Sequence, residues 1–317
     1  MPLPDGSPVV LTWVSSEVVA ARLRALREMA PDLAVVTSLD ECDPGRIDAL
    51  FAFKLAPGIA SRLPNLKLVA SVGAGADGVL AAGDIPPQAW VTRVVEPALG
   101  HGMAQYVAYQ VLRRFRGFAA YEAQARDHAW QRHPLPDARA HTIGILGPGE
   151  IGSVVAQALG ALGFRVTGWS RSGRPVAGVA SMHAGEAALP GFLAEADTLV
   201  CLLPFTEATR GLLDGTRLRQ LKPGAFLINA ARGGILDEEA LLALVEVGHL
   251  AGAALDVFAT EPLPPESRLW REPRISVTPH IAAQPSVRGA VAQFLENLRR
   301  VRHGEAPLHA VDRQAGY

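Results

Sequence analysis

The sequence predicts two α/β domains, each a doubly wound parallel sheet with helices on both faces. Three observations carry that prediction. Short apolar, β-branched runs alternate with helical patterns almost from end to end, which is how such a sheet reads in sequence. The length of 317 residues fits about two domains at roughly 150 residues each. Finally, Gly147-Pro148-Gly149-Glu150-Ile151-Gly152 directly follows one apolar run and opens a helical one.

In the first third, strands are expected at Val9–Val14, Leu33–Thr37, Ala49–Phe53, Leu66–Ser71 and Val91–Val95. Glu17–Met29 is the first crossover helix, with Ser16 as N-cap and Pro31 just past its end. From Gly102 to about Arg116 an apolar helical pattern runs into a polar, Trp-containing stretch. His133-Pro134-Leu135-Pro136-Asp137 reads as a linker, because its two prolines exclude helix and central strand. A second series follows, with strands at Thr142–Leu146, Arg165–Trp169, Thr198–Leu202, Ala225–Asn229, Ala251–Leu255 and Ile275–Val277. The helix Glu150–Leu162 sits after the first of these, and a last helix spans about Val287–Arg300.

Composition narrows the function. Hydrophobic residues make up 49%, enough for two cores, and a formal charge of -1 points to no nucleic acid or other polyanion partner. Cys42 and Cys201 form neither a metal-ligand spacing nor a CxxC, so no metal is expected and a reducing compartment is the simpler setting. No charged-then-apolar signal opens the chain, and no apolar run reaches the ~20 residues of a membrane span. A soluble, cytoplasmic protein with no membrane partner is expected.

The glycine turn has the spacing of a dinucleotide site. The first Gly permits the tight turn, the second lets backbone approach a pyrophosphate, and the third lets helix pack on strand. Amides at the helix N-terminus, from Glu150 and Ile151 onward, then face phosphate oxygens. In open α/β sheets ligands sit outside the carboxyl ends of the strands. The chemically special residues of the second series gather at those ends: Gly147, Ser170-Arg171, Pro204, Arg232, Asp256 and His280. An NAD-preferring site usually carries Asp or Glu about 20 residues past the glycines. Here Ser170-Arg171-Ser172-Gly173-Arg174 stands instead, suiting the 2′-phosphate of NADPH; the alternative is a solvated basic turn.

Hydride transfer to a ketone needs a proton donor, a cation for the substrate carboxylate and a partner for the donor. His280 suits the first role, Arg232 the second and Glu261 the third. Each alone is ordinary: a His after a strand is usually a surface or capping residue, and an Arg-Gly-Gly equally makes a solvated turn. Their joint placement is what points to chemistry. Lys54, after the strand Ala49–Phe53, is either a second cation for the carboxylate or a solvated surface lysine.

Three segments carry a resemblance: Leu227-Ile228-Asn229-Ala230-Ala231-Arg232-Gly233; Leu255-Asp256-Val257-Phe258 through Glu261-Pro262-Leu263-Pro264; and Thr278-Pro279-His280-Ile281-Ala282-Ala283. Together they resemble the D-2-hydroxyacid dehydrogenase family, and within it the glyoxylate/hydroxypyruvate reductases. The resemblance implies Arg232, Glu261 and His280 as catalytic residues and NADPH-dependent reduction of a small 2-keto acid. It implies that Asp256 orients the nicotinamide and that Leu203, Pro204, Thr209 and Ala230 lie on the cofactor side. Ser71–Asp77 resembles the substrate loop, with Gly73, Ala74 and Gly75 holding the carboxylate. The implied domain map is a flavodoxin-like substrate domain, 1–98 completed by 285–317, and a Rossmann domain, 99–284, with the site in the cleft between them. The helix from Gly102 and the Trp130 region resemble a dimerisation arm, implying a homodimer. Pro148 and the Phe53–Pro57 loop depart from or vary within the pattern, and Gln284 has no assigned role. The competing readings are a non-catalytic dinucleotide sensor on the same fold, a dehydrogenase for a bulkier 2-keto acid, and a Rossmann enzyme of another class, such as a methyltransferase.

Overall fold

A computed structural model of the chain describes residues 8–13 and 17–317. In chain order its first strands and helices are β1 (Val9–Trp13), α1 (Glu17–Met29), β2 (Val35–Val36), β3 (Ile47–Ala52), β4 (Leu68–Ser71), α2 (Asp77–Leu80), β5 (Trp90–Thr92), α3 (Pro97–Phe115) and α4 (Phe118–Arg126). Then come β6 (Thr142–Leu146), α5 (Glu150–Ala161), β7 (Arg165–Ser170), β8 (Ser181–Ala184), α6 (Gly185–Glu195), β9 (Thr198–Cys201) and α7 (Gly215–Leu218). The chain finishes with β10 (Ala225–Asn229), α8 (Glu238–Glu246), β11 (Leu250–Leu255), β12 (Ile275–Val277) and α9 (Val287–Arg302). It divides into two compact units, Met1–Ala98 with Gln284–Tyr317, and Leu99–Ala283. Among the described residues no helix is long and apolar enough to cross a membrane.

The first unit is a parallel sheet in the order β2-β1-β3-β4-β5. Its strands are buried on both faces, which is why they read as continuous apolar runs. On one face Val10, Ala49, Phe51 and Leu68 pack against α1 and α9 through Val19, Leu26, Val291 and Phe294. Phe51 and Phe294 stack with centroids 4.5 Å apart. The opposite face buries Val9, Leu11, Leu50 and Val69 under Leu55, Leu63 and Val79.

Several boundaries differ from expectation. The strand expected at Leu33–Thr37 shrinks to two residues because turns claim both ends. The Leu33 amide bonds Ala30 O at 3.0 Å, and the Thr37 amide and hydroxyl bond the Glu41 carboxylate at 2.9 and 2.8 Å. β3 starts two residues early and takes in Asp48, whose carboxylate meets the Arg302 guanidinium through two bonds of 2.7 and 2.8 Å. β5 ends at Thr92, since Arg93 and Val94 bond His309 O and Gly73 O instead of a strand. The expected Ser16 cap and the last residue of Val9–Val14 lie outside the described residues.

The second unit is a seven-stranded parallel sheet in the order β12-β11-β10-β9-β6-β7-β8. This is the doubly wound dinucleotide order, with the strand direction of travel reversing between β6 and β9. α3 lays Met103, Ala104, Val107 and Val111 on Ile143, Ile145 and Ile228, the spacing of one helical face. It begins at Pro97, earlier than the expected Gly102, because proline at the first helical position needs no amide partner. α6 and α8 cover the other face through Leu189, Phe192, Leu241 and Val245. Six elements stand where the sequence reading placed none: α2, α4, β8, α6, α7 and α8. α6 carries Pro190 in its interior, which argues against helix in a reading of sequence alone.

Candidate active site

Because every strand of the second unit is parallel, all its carboxyl ends lie on one edge. β6 runs into Gly147, whose φ of +78° is left-handed and costs glycine little. A Cβ there would stand 3.0 Å from Leu203 Cα, so the turn after β6 and the loop after β9 touch at the point where strand order reverses. Gly149 opens onto space, with nothing within 4 Å of an added Cβ, while one at Gly152 would meet Gly147 O at 3.1 Å. The three glycines thus satisfy separate demands: a turn, an open approach and a close packing. Glu150 and Ile151 form the first turn of α5. This geometry fits the pyrophosphate of a dinucleotide.

Beyond β7, Arg171, Ser172 and Arg174 are exposed, and the Ser170 hydroxyl accepts from the Gly173 amide at 3.0 Å. The loop after β9 is fixed by Thr209, whose hydroxyl donates to Pro204 O at 2.7 Å and accepts from the Thr206 amide at 2.8 Å. Thr209 is therefore engaged in shaping the Pro204 turn. Leu203 and Ala230 are buried on the same edge.

β10 ends at Asn229, which is fully buried. Its amide donates to Arg232 O at 3.2 Å and its oxygen accepts from the Ala231 amide at 3.2 Å, so it sets the turn that presents Arg232. The Arg232 guanidinium also donates to Ala231 O at 2.7 Å. Next to it, Gly233 lies so close to the Phe258–Ala259 backbone that any Cβ would overlap it. That contact joins the Arg232 loop to the Glu261 loop. One Glu261 oxygen accepts from the Phe258 amide at 3.0 Å, and the other lies 2.9 Å from His280 Nδ1. Burial pushes the Glu261 carboxyl upward. The His280 bond, the Phe258 amide and the charges of His280 and Arg232 together outweigh it and hold the group below its ordinary range.

His280 follows β12 with a φ of +56°. Its amide donates to Asp256 O at 2.8 Å. Asp256 carboxylate oxygens accept from Thr278 Oγ1 at 2.6 Å, Ile281 N at 2.9 Å and Ala282 N at 2.8 Å. The structure therefore brings Arg232, Glu261 and His280 together and gives Asp256 the job of binding the His280 loop. In the first unit Gly73, Ala74 and Gly75 form a loop after β4. The Ser71 hydroxyl fastens it by donating to Gly75 O at 2.7 Å and accepting from the Gly73 amide at 3.2 Å. Lys54 is exposed after β3. Gln284, also exposed, stands where the chain returns to the first unit.

Sequence reasoning assigned no role to Asn229, Gly233, Thr278 or Tyr106, whose hydroxyl lies 2.9 Å from Thr278 Oγ1. A buried amide at the end of an apolar strand was a usable signal for Asn229. The others act through tertiary neighbours.

Residues 108–282 match the family described as D-isomer specific 2-hydroxyacid dehydrogenase, NAD binding domain. Glyoxylate/hydroxypyruvate reductase A of Escherichia fergusonii is 38% identical over 303 residues, covering 93% of this chain and 95% of that protein. The protein of the same name from Citrobacter koseri is 40% identical over 258 residues, 80% of this chain and 82% of that one. A Xanthobacter autotrophicus D-isomer specific 2-hydroxyacid dehydrogenase, solved with NADPH and MES, superposes with a TM-score of 0.90 at 38% identity, covering 98% of this chain and 100% of that one. The NADPH-dependent glyoxylate/hydroxypyruvate reductase of Sinorhizobium meliloti, solved with NADP and sulfate, gives 0.88 at 38% identity, with the same coverage. With both parallel sheets, the dinucleotide turn and likeness along almost its whole length, this chain belongs to the D-isomer specific 2-hydroxyacid dehydrogenase family.

Proposed function

We propose that this protein reduces small 2-keto acids, glyoxylate and hydroxypyruvate among them, to 2-hydroxy acids with NADPH. The observation that carries the reading is the His280–Glu261 pair at 2.9 Å, joined to the Arg232 loop on the sheet edge that also holds the glycine turn. NADPH, when bound, supplies the hydride. His280, held at Nδ1 by Glu261, gives its Nε2 proton to the substrate carbonyl oxygen as negative charge develops there. Glu261 is the counter-charge to the imidazolium. Arg232 grips the carboxylate with its planar fork and orients the carbonyl. In the first unit, the loop of Gly73, Ala74 and Gly75 and the Lys54 ammonium are the groups assigned to the substrate carboxylate.

The α5 amides take the pyrophosphate, and Ser170, Arg171, Ser172 and Arg174 take the 2′-phosphate. Relatives solved with NADPH or NADP support that choice of cofactor. The reading includes a homodimer, supported by a run of exposed large apolar residues at Tyr109, Phe118, Trp130 and Leu135. It also includes a reducing, cytoplasmic setting, supported by the free thiols of Cys42 and Cys201.

Following NADPH absorbance with glyoxylate tests the reading. Turnover is expected, and His280→Ala should lower kcat by about 10²–10⁴-fold with little change in NADPH affinity measured by fluorescence. Arg232→Ala should raise KM for the keto acid steeply. Wild-type turnover in His280→Ala would remove it from the mechanism.

A further inference from the structure

The loop that carries His280 is held from one side by a chain of hydroxyls. A histidine at φ +56° occupies a region that non-glycine residues populate rarely, so neighbouring bonds must impose it. Asp256, 1% exposed, does this by accepting from the successive amides of residues 280, 281 and 282 through its carbonyl and carboxylate. Thr278 Oγ1 spends its single hydrogen on Asp256 at 2.6 Å. The Tyr106 phenol, 2.9 Å from the same oxygen, must then be the donor to it. Burial, with the Asp256 charge, pushes the Tyr106 phenol up to about 12. The phenol keeps its hydrogen across the neutral range, and the order Tyr106 to Thr278 to Asp256 is fixed. Tyr106 stands on α3, which Met103, Val107 and Val111 seat in the core.

We propose that Tyr106 is a positioning residue for His280, fastening the Thr278–Ala282 loop to α3 through Thr278 and Asp256. This rests on His280 being the proton donor. Without the phenol hydroxyl, Thr278 Oγ1 loses the bond that ties it to α3, and the loop it shares with His280 shifts, carrying the imidazole out of line. Misplacement of about 1 Å is enough to cost on the order of 100-fold in rate.

Tyr106→Phe is therefore expected to lower kcat by about 10- to 100-fold, with KM for glyoxylate and affinity for NADPH within about twofold of wild type. Amide hydrogen exchange in the 278–282 segment should quicken in the ligand-free protein. Thr278→Val should reproduce both effects, and the double variant should be no worse than the poorer single one, since both break one chain. Additive losses, unchanged exchange, or wild-type kcat in Tyr106→Phe beside an inactive His280→Ala would overturn the proposal. An active His280→Ala would instead overturn the proton-donor reading, and the exchange measurement would still decide whether Tyr106 holds the loop.

Discussion

His280 is useful to a reductase only if one ring nitrogen is occupied and the other is presented, and Glu261 provides that asymmetry at 2.9 Å. The carboxyl is depressed from its ordinary value of 4.5. A depressed acid adds stability that is full above the unfolded value and lost as pH falls through the lower folded one. The stability gap between wild type and Glu261→Gln, read by chemical denaturation, is therefore expected to hold above the ordinary carboxyl value and to narrow as pH falls below it. A gap that widens toward acid would contradict the pairing. Arg171 carries the proposed cofactor choice, because the Ser170–Arg174 loop holds no carboxylate to repel a 2′-phosphate. NADPH should exceed NADH by about 10- to 100-fold in kcat/KM, roughly 1.4–3 kcal/mol. Arg171→Ala should erase most of that by weakening NADPH alone; equal efficiency in wild type would count against the assignment.

At the scale of elements, the candidate site is a set of turns at strand ends, each locked by an interior neighbour. Asn229 locks the turn after β10, Asp256 the one after β12, and Thr209 the one after β9. Gly233 matters because the turn after β10 meets the loop after β11 there without room for a methyl group. Gly233→Ala should separate the Arg232 and Glu261 loops, lowering stability by about 1–3 kcal/mol and activity far more. A variant with wild-type melting and turnover would show that the loops can part harmlessly. Most strands of the second unit were legible from their apolar runs, Thr142–Leu146, Ala225–Asn229 and Ile275–Val277 to the residue. β2 was legible only as a longer strand, because local turns shorten it, and α6 was not, because Pro190 disguises it.

Across the whole molecule, the first unit is completed by a helix from the far end of the chain. Arg302 neutralises Asp48 across 254 positions, and Phe294 stacks on Phe51. The second unit leaves Trp130 93% exposed, with Tyr109, Phe118 and Leu135 also uncovered. Exposed apolar side chains of that kind are what the proposed homodimer would cover, and a two-fold pair of identical chains is the commonest closed assembly. Sedimentation should give about twice the 33.5 kDa chain mass, and Trp130→Glu should shift the equilibrium toward single chains. A wild-type monomer at micromolar concentration would exclude the dimer.

Periodicity and turn chemistry, being local, determined the two parallel sheets, the dinucleotide turn and the gathering of Arg232, Asp256 and His280 past neighbouring strand ends. The amides, hydroxyls and glycine contacts that aim those residues were decided only by the tertiary structure. Asp48 reads as a charge out of place until Arg302 arrives, and Tyr106 as one more residue of an apolar helix until Thr278 lies beside it. A hydrogen bond of that kind depends on which distant backbone supplies the partner, and spacing along the chain does not encode it.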